Sequence, residues 1–351
     1  MNLLILHFQN ASKYPPVQNF IYELEKNKVF YKCISTGSPI GNKDNNSVVY
    51  SKYKHSSFIL ISLYYLFRYR PKRIIYFETY SSLPVFIYSF FTRLFLSSDI
   101  LVHFHEYETL DERNKVSLYY KLLSSLETNR ILPKANWISH TNPDRLQFFL
   151  SDYPKLNSKK CHIIQNMPNE NWRNNKLNVN STSINSIKKI VFVGSLGADS
   201  SLINEFIMLV NSQKYNVTLD VFSGNIDAKS KAILKSQEWI KLFPPKDYNS
   251  LPILFKNYDC GLILYSGISK NHSFSIPNKF FEYASCGLSV LTSNKLRTLN
   301  SYIINENIEH DNIGADFYFI GKINSTKMNS EYEFKEIINY INSIDENSIH
   351  R

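Results

Sequence analysis

Cysteine is scarce in this chain: four in 351 residues, Cys33, Cys161, Cys260 and Cys286. They form no C-x-x-C pair and no metal-like cluster, which argues against a disulfide framework or a zinc module and for a reducing compartment. The opening, MNLLILHFQN, lacks the basic leader and long apolar core of a signal peptide and reads as a first strand. No run reaches the roughly 18–20 uninterrupted apolar residues of a spanning helix; the nearest, 83–96, is broken by Arg93. These absences predict a soluble, cytoplasmic protein. Internal repeats and long blocks of like charge are also missing, so neither a solenoid nor a charged disordered tail is expected.

Acidic residues are the other shortage, with 30 Asp and Glu against 40 Lys and Arg. The imbalance is concentrated in residues 1–170, which hold 21 basic and 13 acidic residues. Lys52, Lys54, Arg68, Arg70, Lys72 and Arg73 surround the apolar stretch FILISLYYLF. Such a distribution suits an anionic substrate, an anionic membrane surface, nucleic acid, or a plain solvated face.

Apolar runs alternate with helical periodicity through both halves, the pattern of an α/β fold with parallel sheets. Strands are predicted near 3–8, 29–35, 73–77, 100–104, 137–140 and 162–165. A second series follows near 190–193, 217–222, 239–242, 260–264 and 288–291. Helices fit at 17–26, 58–69, 84–96 and 115–129, then at 201–211, 229–237, 249–256 and 277–285. The polar segment 171–187 loses periodicity and reads as a linker. The expected organisation is a first α/β domain over 1–170, the linker, a second α/β domain over 188–330, and a C-terminal helix over 331–351. Two Rossmann-like α/β domains facing a central cleft would result, with ligands gathered at the strand carboxyl ends.

The segment "SFSIPNKFFEYASCGLSVLTS", 273–293, carries the most chemical information. Pro277 is tolerated at a helix start, where its missing N–H has no partner to lose. Ser275 reads as the cap. The free amides and positive dipole end of the helix favour a phosphate, and Lys279 adds a full charge there. Glu282 lies one turn on, on the same face, where a carboxylate can accept two hydrogen bonds from a ribose diol. The competing reading is an ordinary capped helix with a surface Lys–Glu pair, worth about 0.2–0.5 kcal/mol.

"PNKFFEYASCGLSVL" resembles the P-N-K-x-x-E-Y-x-x-x-G-x-P-V segment of GT-B glycosyltransferases, above all the family-4 group that builds bacterial surface polysaccharides. "IVFVGSLGADSSLINEF" is similar to the opening strand, glycine turn and helix of that family's donor domain, "YDCGLILYSG" to the strand before its donor loop, and "CHIIQNMPNE" to the strand and turn before its linker. The resemblance spans most of the chain and is most specific around Glu282. It implies an acceptor-binding first domain over 1–170, a nucleotide-sugar-binding second domain over 188–330, and a C-terminal helix, 331–351, packing back on the first domain. It implies that Glu282 contacts the ribose of a nucleotide-sugar and that Ser275, Pro277, Asn278 and Lys279 face its diphosphate. It places Gly194 and Ser195 against the phosphates, Phe243 and Pro244 near the base, and Tyr265 and Ser266 at the head of the donor loop.

The family's catalytic histidine follows a strand of the first domain, and "LVHFHEYET" offers His105 in that place, beside His103 and Glu106. On position alone such a histidine is more often structural than catalytic. The resemblance makes it a hydrogen-bond partner of the donor sugar, with Glu106 orienting it or serving as a base. Two features depart from the family. The first acid of the E-x7-E pattern is replaced by Phe274, and the Arg/Lys pair after the first strand of the second domain is replaced by Ser195, Asp199 and Ser200. Charge compensation would then fall on Lys279, on Lys270 and on helix-end amides, with no metal or other cofactor.

The expected activity is therefore transfer of a sugar from a nucleotide-sugar donor to a growing capsule, O-antigen or exopolysaccharide glycan. The acceptor would be a glycan or lipid-linked glycan, met through peripheral contact at the inner face of an anionic membrane. The alternatives are a non-hydrolysing sugar-nucleotide epimerase of the same fold and a non-catalytic basic nucleic-acid-binding protein. The first lacks the expected cluster of acids and histidines. The second lacks a recognised module with exposed aromatics, so nucleic acid is not an expected partner.

Overall fold

The computed structural model describes residues 2–36, 48–51, 54–92, 98–107, 109, 112, 116–175, 183–321, 323, 328 and 330–346. The chain forms two compact units, residues 1–166 with 330–351, and residues 167–329. Parts of the expected helices 84–96 and 115–129, of the linker, and of the C-terminal segment 331–351 lie outside the described residues.

The first unit is built on seven parallel strands: β1 (Leu3–His7), β2 (Tyr31–Thr36), β3 (Val48–Ser51), β4 (Arg73–Phe77), β5 (Asp99–Phe104), β6 (Trp137–His140) and β7 (Cys161–Ile163). Their order is β3-β2-β1-β4-β5-β6-β7, so the winding reverses between β1 and β4. Every residue of β1 and of β4 is buried, as expected for central strands covered on both faces. Alternation along β1 serves two cores. Leu3 and Ile5 join helix α1 (Pro15–Lys26), while Leu4 and Leu6 join helices α2 (His55–Tyr69) and α3 (Ser82–Thr92).

The C-terminal helix, Ser330–Glu346, completes the α1 face. Phe334, Ile337, Ile338 and Ile341 are buried there, and the rings of Phe20 and Phe334 stand 5.2 Å apart. Ser330 donates to Glu23 at 2.5 Å and Lys26 pairs with Glu331 at 2.9 Å.

The second unit repeats the plan with β8 (Lys189–Val193), β9 (Thr218–Phe222), β10 (Ile240–Phe243), β11 (Cys260–Ile263) and β12 (Ser289–Ser293), all parallel. An antiparallel pair, β13 (Asp311–Ile313) and β14 (Phe317–Ile320), extends the edge, giving the order β10-β9-β8-β11-β12-β14-β13. The winding reverses between β8 and β11. The β13–β14 hairpin, which turns through Gly314 at φ +62°, and β3 are absent from the sequence reading, because each strand is only three or four residues long.

Part of the segment read as a linker belongs to this unit's core. Glu170–Asn175 forms a 3-10 turn that buries Trp172 against Tyr248, 4.8 Å between rings, and Phe255. One aromatic amid seven polar neighbours gives no periodicity, so its burial was not legible.

Candidate functional site

The strand ends on either side of the β8/β11 reversal carry most of the residues assigned to the donor. Gly194, directly after β8, adopts φ +153°, and its N–H donates to Phe222 O at 3.2 Å. The loop that follows is laced to the one after β11. Leu202 N–H donates to Leu264 O at 2.7 Å, Ser266 N–H to Ser200 O at 3.0 Å, and Ser266 Oγ to Asp199 O at 3.0 Å. Asp227 anchors the same turn by accepting from Ala198 N–H at 2.6 Å, and the Ser230 hydrogen bonds hold its carboxyl below the usual range. Ser195 and Tyr265 stay exposed at this edge, whereas the Ser266 hydroxyl is committed to the loop. Phe243 ends the outer strand β10, stacked on Phe222 at 4.9 Å, with Pro244 exposed after it.

The helix predicted over 277–285 spans Asn278–Cys286 and ends at Gly287, whose φ of +82° is the left-handed stop that glycine permits. Ser275 is not its cap. The cap position is Pro277, no side chain caps the helix, and Ser275 Oγ donates instead to His272 O at 2.8 Å. The first-turn amides of Asn278 and Lys279 are therefore uncapped, which is the arrangement that favours an anion.

The helix lies close on the sheet because Gly261 of β11 has no side chain. A Cβ there would meet the Tyr283 ring at 2.2 Å. This approach also draws Glu282 inward, to 1% exposure, although it is the acid of an apparent surface pair. Lys279 Nζ, 22% exposed, makes an ion pair with Glu282 Oε2, while Oε1 is buried with no hydrogen-bond partner. A buried carboxylate with one oxygen neutralised and the other free is prepared to accept from a hydroxyl. The same burial and Glu282's charge push the Cys286 thiol up to about 12.

Phe274, in the place of the missing first acid, holds a cation on its face: the Arg297 guanidinium lies 5.5 Å from its ring centre. Arg297 was not identified from sequence, since it opens a later helix, Arg297–Asn305, that carries no motif. Lys270 is exposed in a four-residue helical turn, Lys270–Ser273.

In the first unit the equivalent edge lies at the ends of β1, β4 and β5. His105 follows β5 but is only 3% exposed. Its imidazole stacks on Phe77, centroids 5.0 Å apart, with His103 at 4.6 Å and Tyr14 at 4.8 Å. Its carbonyl accepts from Arg145 Nη1 at 2.5 Å. Burial, then the neighbouring His103 and His7, hold its pKa well below the ordinary value, so the ring is neutral at pH 7. Glu106 is exposed and lines a pocket of about 170 Å³ with Gln9, Tyr14, Glu78, Thr79 and Tyr80. Glu78 was missed. The only trace in the sequence is an acid placed directly after the buried run RIIYF.

Among the described residues no group of three or more His, Cys, Asp or Glu is arranged to hold a metal ion, and no helix is long and apolar enough to cross a membrane.

No protein-family model and no curated protein matches the sequence. Solved structures do match the fold. HepE of Anabaena, solved with UDP-glucose, aligns at TM-score 0.61 and 12% identity over 99% of this chain and 91% of its own. A sucrose-phosphate synthase of Thermosynechococcus elongatus aligns at 0.59 and 12%, over 84% and 82%. A UDP-N-acetylglucosamine 2-epimerase of Rickettsia bellii aligns at 0.52 and 12%, over the full length of both. The chain is an α/β protein of two Rossmann-like domains with the GT-B fold.

Proposed function

We propose that the chain is a glycosyltransferase that binds a nucleotide-sugar on its second unit and transfers the sugar to a surface-polysaccharide glycan. The observation that carries this reading is the Glu282 carboxylate, buried one turn inside an uncapped helix start, with Lys279 on one oxygen and no hydrogen-bond partner on the other. Burying an acid and leaving half of it unsatisfied is destabilising unless a ligand supplies the missing donor. A ribose hydroxyl meets that need, and a diphosphate on the adjacent Asn278 and Lys279 amides places the two groups one helical turn apart. Gly194 and the exposed Tyr265 edge bound the same corner across the strand reversal. In this reading helix amides and basic side chains take up the charge of the leaving diphosphate, and no divalent metal is required.

The likeness to an epimerase gives a second enzymatic reading of the same fold. One experiment separates the readings. UDP, GDP and their common sugar conjugates are tested for thermal stabilisation, and the stabilising conjugate is then incubated with and without glycan acceptors. A donor site predicts a raised melting temperature by mass action, reduced in Glu282→Gln, with sugar transferred only when acceptor is present. Conversion of the conjugate to its epimer without acceptor would instead establish epimerisation, and no stabilisation by any nucleotide would refute the donor site.

A further inference from the structure

The starts of β8 and β9 lie at the edge of the second sheet opposite the one that carries Gly194. The chain crossing this edge holds a strained lysine. The helix Ile203–Gln213 stops at Lys214, whose φ of +53° is left-handed. Glycine usually takes that position, because a side chain there is crowded by the backbone. Both ends of the crossing are pinned: Tyr215 N–H donates to Val210 O at 3.1 Å, and Thr218 N–H to Lys188 O at 2.8 Å.

Tyr215 stands half-buried between two clefts of about 430 Å³ each. Trp239 lines one, Asn185, Lys188 and Gln213 line the other, and Lys214, Tyr215 and Asn216 belong to both. No carboxylate lines either cleft. Among the described residues, the ammonium groups of Lys188 and Lys214 have no ion-pair partner, and the amides of Asn185, Gln213 and Asn216 and the Tyr215 hydroxyl make no hydrogen bond. Asp259 does not compensate Lys188 through Oδ2, which accepts instead from the main-chain N–H groups of Lys188 and Lys189, each at 2.9 Å.

An ordinary solvated face mixes charges of both signs and needs no strained residue. This one gathers unengaged groups of complementary kinds. Side-chain amides offer donor and acceptor together, as a sugar hydroxyl requires. The half-buried Tyr215 and Trp239 rings give flat apolar platforms with a polar edge, suited to the faces of pyranose rings. The two ammonium groups add charge-assisted hydrogen bonds to a carboxylate or phosphate. Nucleic acid fits less well, because its affinity comes from neutralising many phosphates and only two cations line the clefts.

We propose that this edge of the second unit binds an acidic saccharide chain, one sugar in each cleft with Tyr215 between them, its carboxylates or phosphates on Lys188 and Lys214. The site lies at the opposite strand ends from the donor residues and involves the second unit alone. It holds a chain without making or breaking a bond, so the proposal does not depend on the glycosyltransferase reading.

Calorimetry with the full chain at low salt tests it, using tetragalacturonate, a phosphorylated mannan oligosaccharide, uncharged maltotetraose and poly(U). The wild type should bind at least one of the two acidic saccharides, about tenfold or more tightly than maltotetraose, and less tightly as salt is raised. Binding of tetragalacturonate assigns a carboxylate to the lysines, and binding of the phosphorylated mannan alone assigns a phosphate. Lys188→Gln and Lys214→Gly should each weaken that binding about tenfold, the loss of one charge-assisted hydrogen bond. Lys214→Gly should melt no lower than the wild type, since glycine relaxes the left-handed backbone, so its lost affinity is not lost folding.

Thermal stabilisation by nucleotides should be the same in both variants as in the wild type, which separates failure here from failure of the donor site. The proposal is overturned if neither acidic saccharide binds, if maltotetraose binds as tightly, or if both variants keep the wild-type affinity. Poly(U) bound more tightly than either saccharide, and lost in the same variants, would overturn it too and reassign the edge to nucleic acid.

Discussion

Replacing Lys279 by methionine tests whether the Lys279–Glu282 pair is the buried feature described here or a surface decoration. Methionine keeps the apolar stem and the helix propensity and removes only the charge. Glu282 is 1% exposed, so its carboxylate would be left without a counter-charge. Breaking a buried pair in this way costs about 3–5 kcal/mol, against about 0.2–0.5 kcal/mol for an exposed i, i+3 pair. Adding Glu282→Gln removes the stranded charge, and the double variant should return to within about 1–2 kcal/mol of wild type.

The assay is urea unfolding followed by tryptophan emission in a Trp137→Phe background. Trp137 belongs to the first unit, so the remaining Trp172 and Trp239 report on the second. With a slope near 2 kcal/mol per molar urea, the Lys279→Met midpoint should fall by about 2 M. Glu282→Gln alone should in addition weaken nucleotide-sugar binding by about 10–150-fold, the worth of one charge-assisted hydrogen bond. A Lys279→Met loss below about 1 kcal/mol, or a double variant as unstable as the sum of the singles, would refute the reasoning.

Two further outcomes are expected. His7 and His103 are held near 3 by burial, against an ordinary 6.5, so below pH 6.5 the unfolded chain takes up protons that the folded chain refuses. Stability is lost as pH falls, by up to about 4–5 kcal/mol per ring near pH 3. Glu78 and Glu333, both raised to about 7, act in the opposite sense. Their contribution is full below about 4.5 and disappears as pH rises through 7, so it offsets the histidines only above pH 4.5. Acid unfolding followed by circular dichroism should therefore steepen below pH 4.5, and His7→Phe should move its midpoint down; an unmoved midpoint would exclude this origin.

The second concerns α2 and α3, where Leu60, Tyr64, Phe67, Phe90 and Phe91 are exposed by 42–69% in the unit that carries the basic surplus. Flotation with vesicles containing phosphatidylglycerol should recover the protein at low salt. Phe90→Ser with Phe91→Ser should reduce recovery at least tenfold, each ring being worth about 1.5–3 kcal/mol on burial. Equal recovery on neutral vesicles would count against an anionic membrane partner.

Much of the fold was written locally. β1, β4 and β12 are runs of buried residues with no competing periodicity, and Pro277 and Gly287 punctuate one helix at both ends, so strand and helix identities follow from backbone and side-chain properties of neighbouring residues. Glu282 and Lys279 were legible for the same reason, because they share one helical turn. What local chemistry does not encode is depth. Glu282 is buried because Gly261, 21 positions earlier, admits the Tyr283 ring. Trp172 reaches the second core from a stretch that reads as linker. Glu78 acquires its raised proton affinity from burial, opposed by Tyr14 and Gln9 and reinforced by Glu106, groups that only the parallel crossovers bring to one rim. Sequence by itself determined the elements and the motif; tertiary structure decided which polar groups lose their water, and with it which of them can do chemistry.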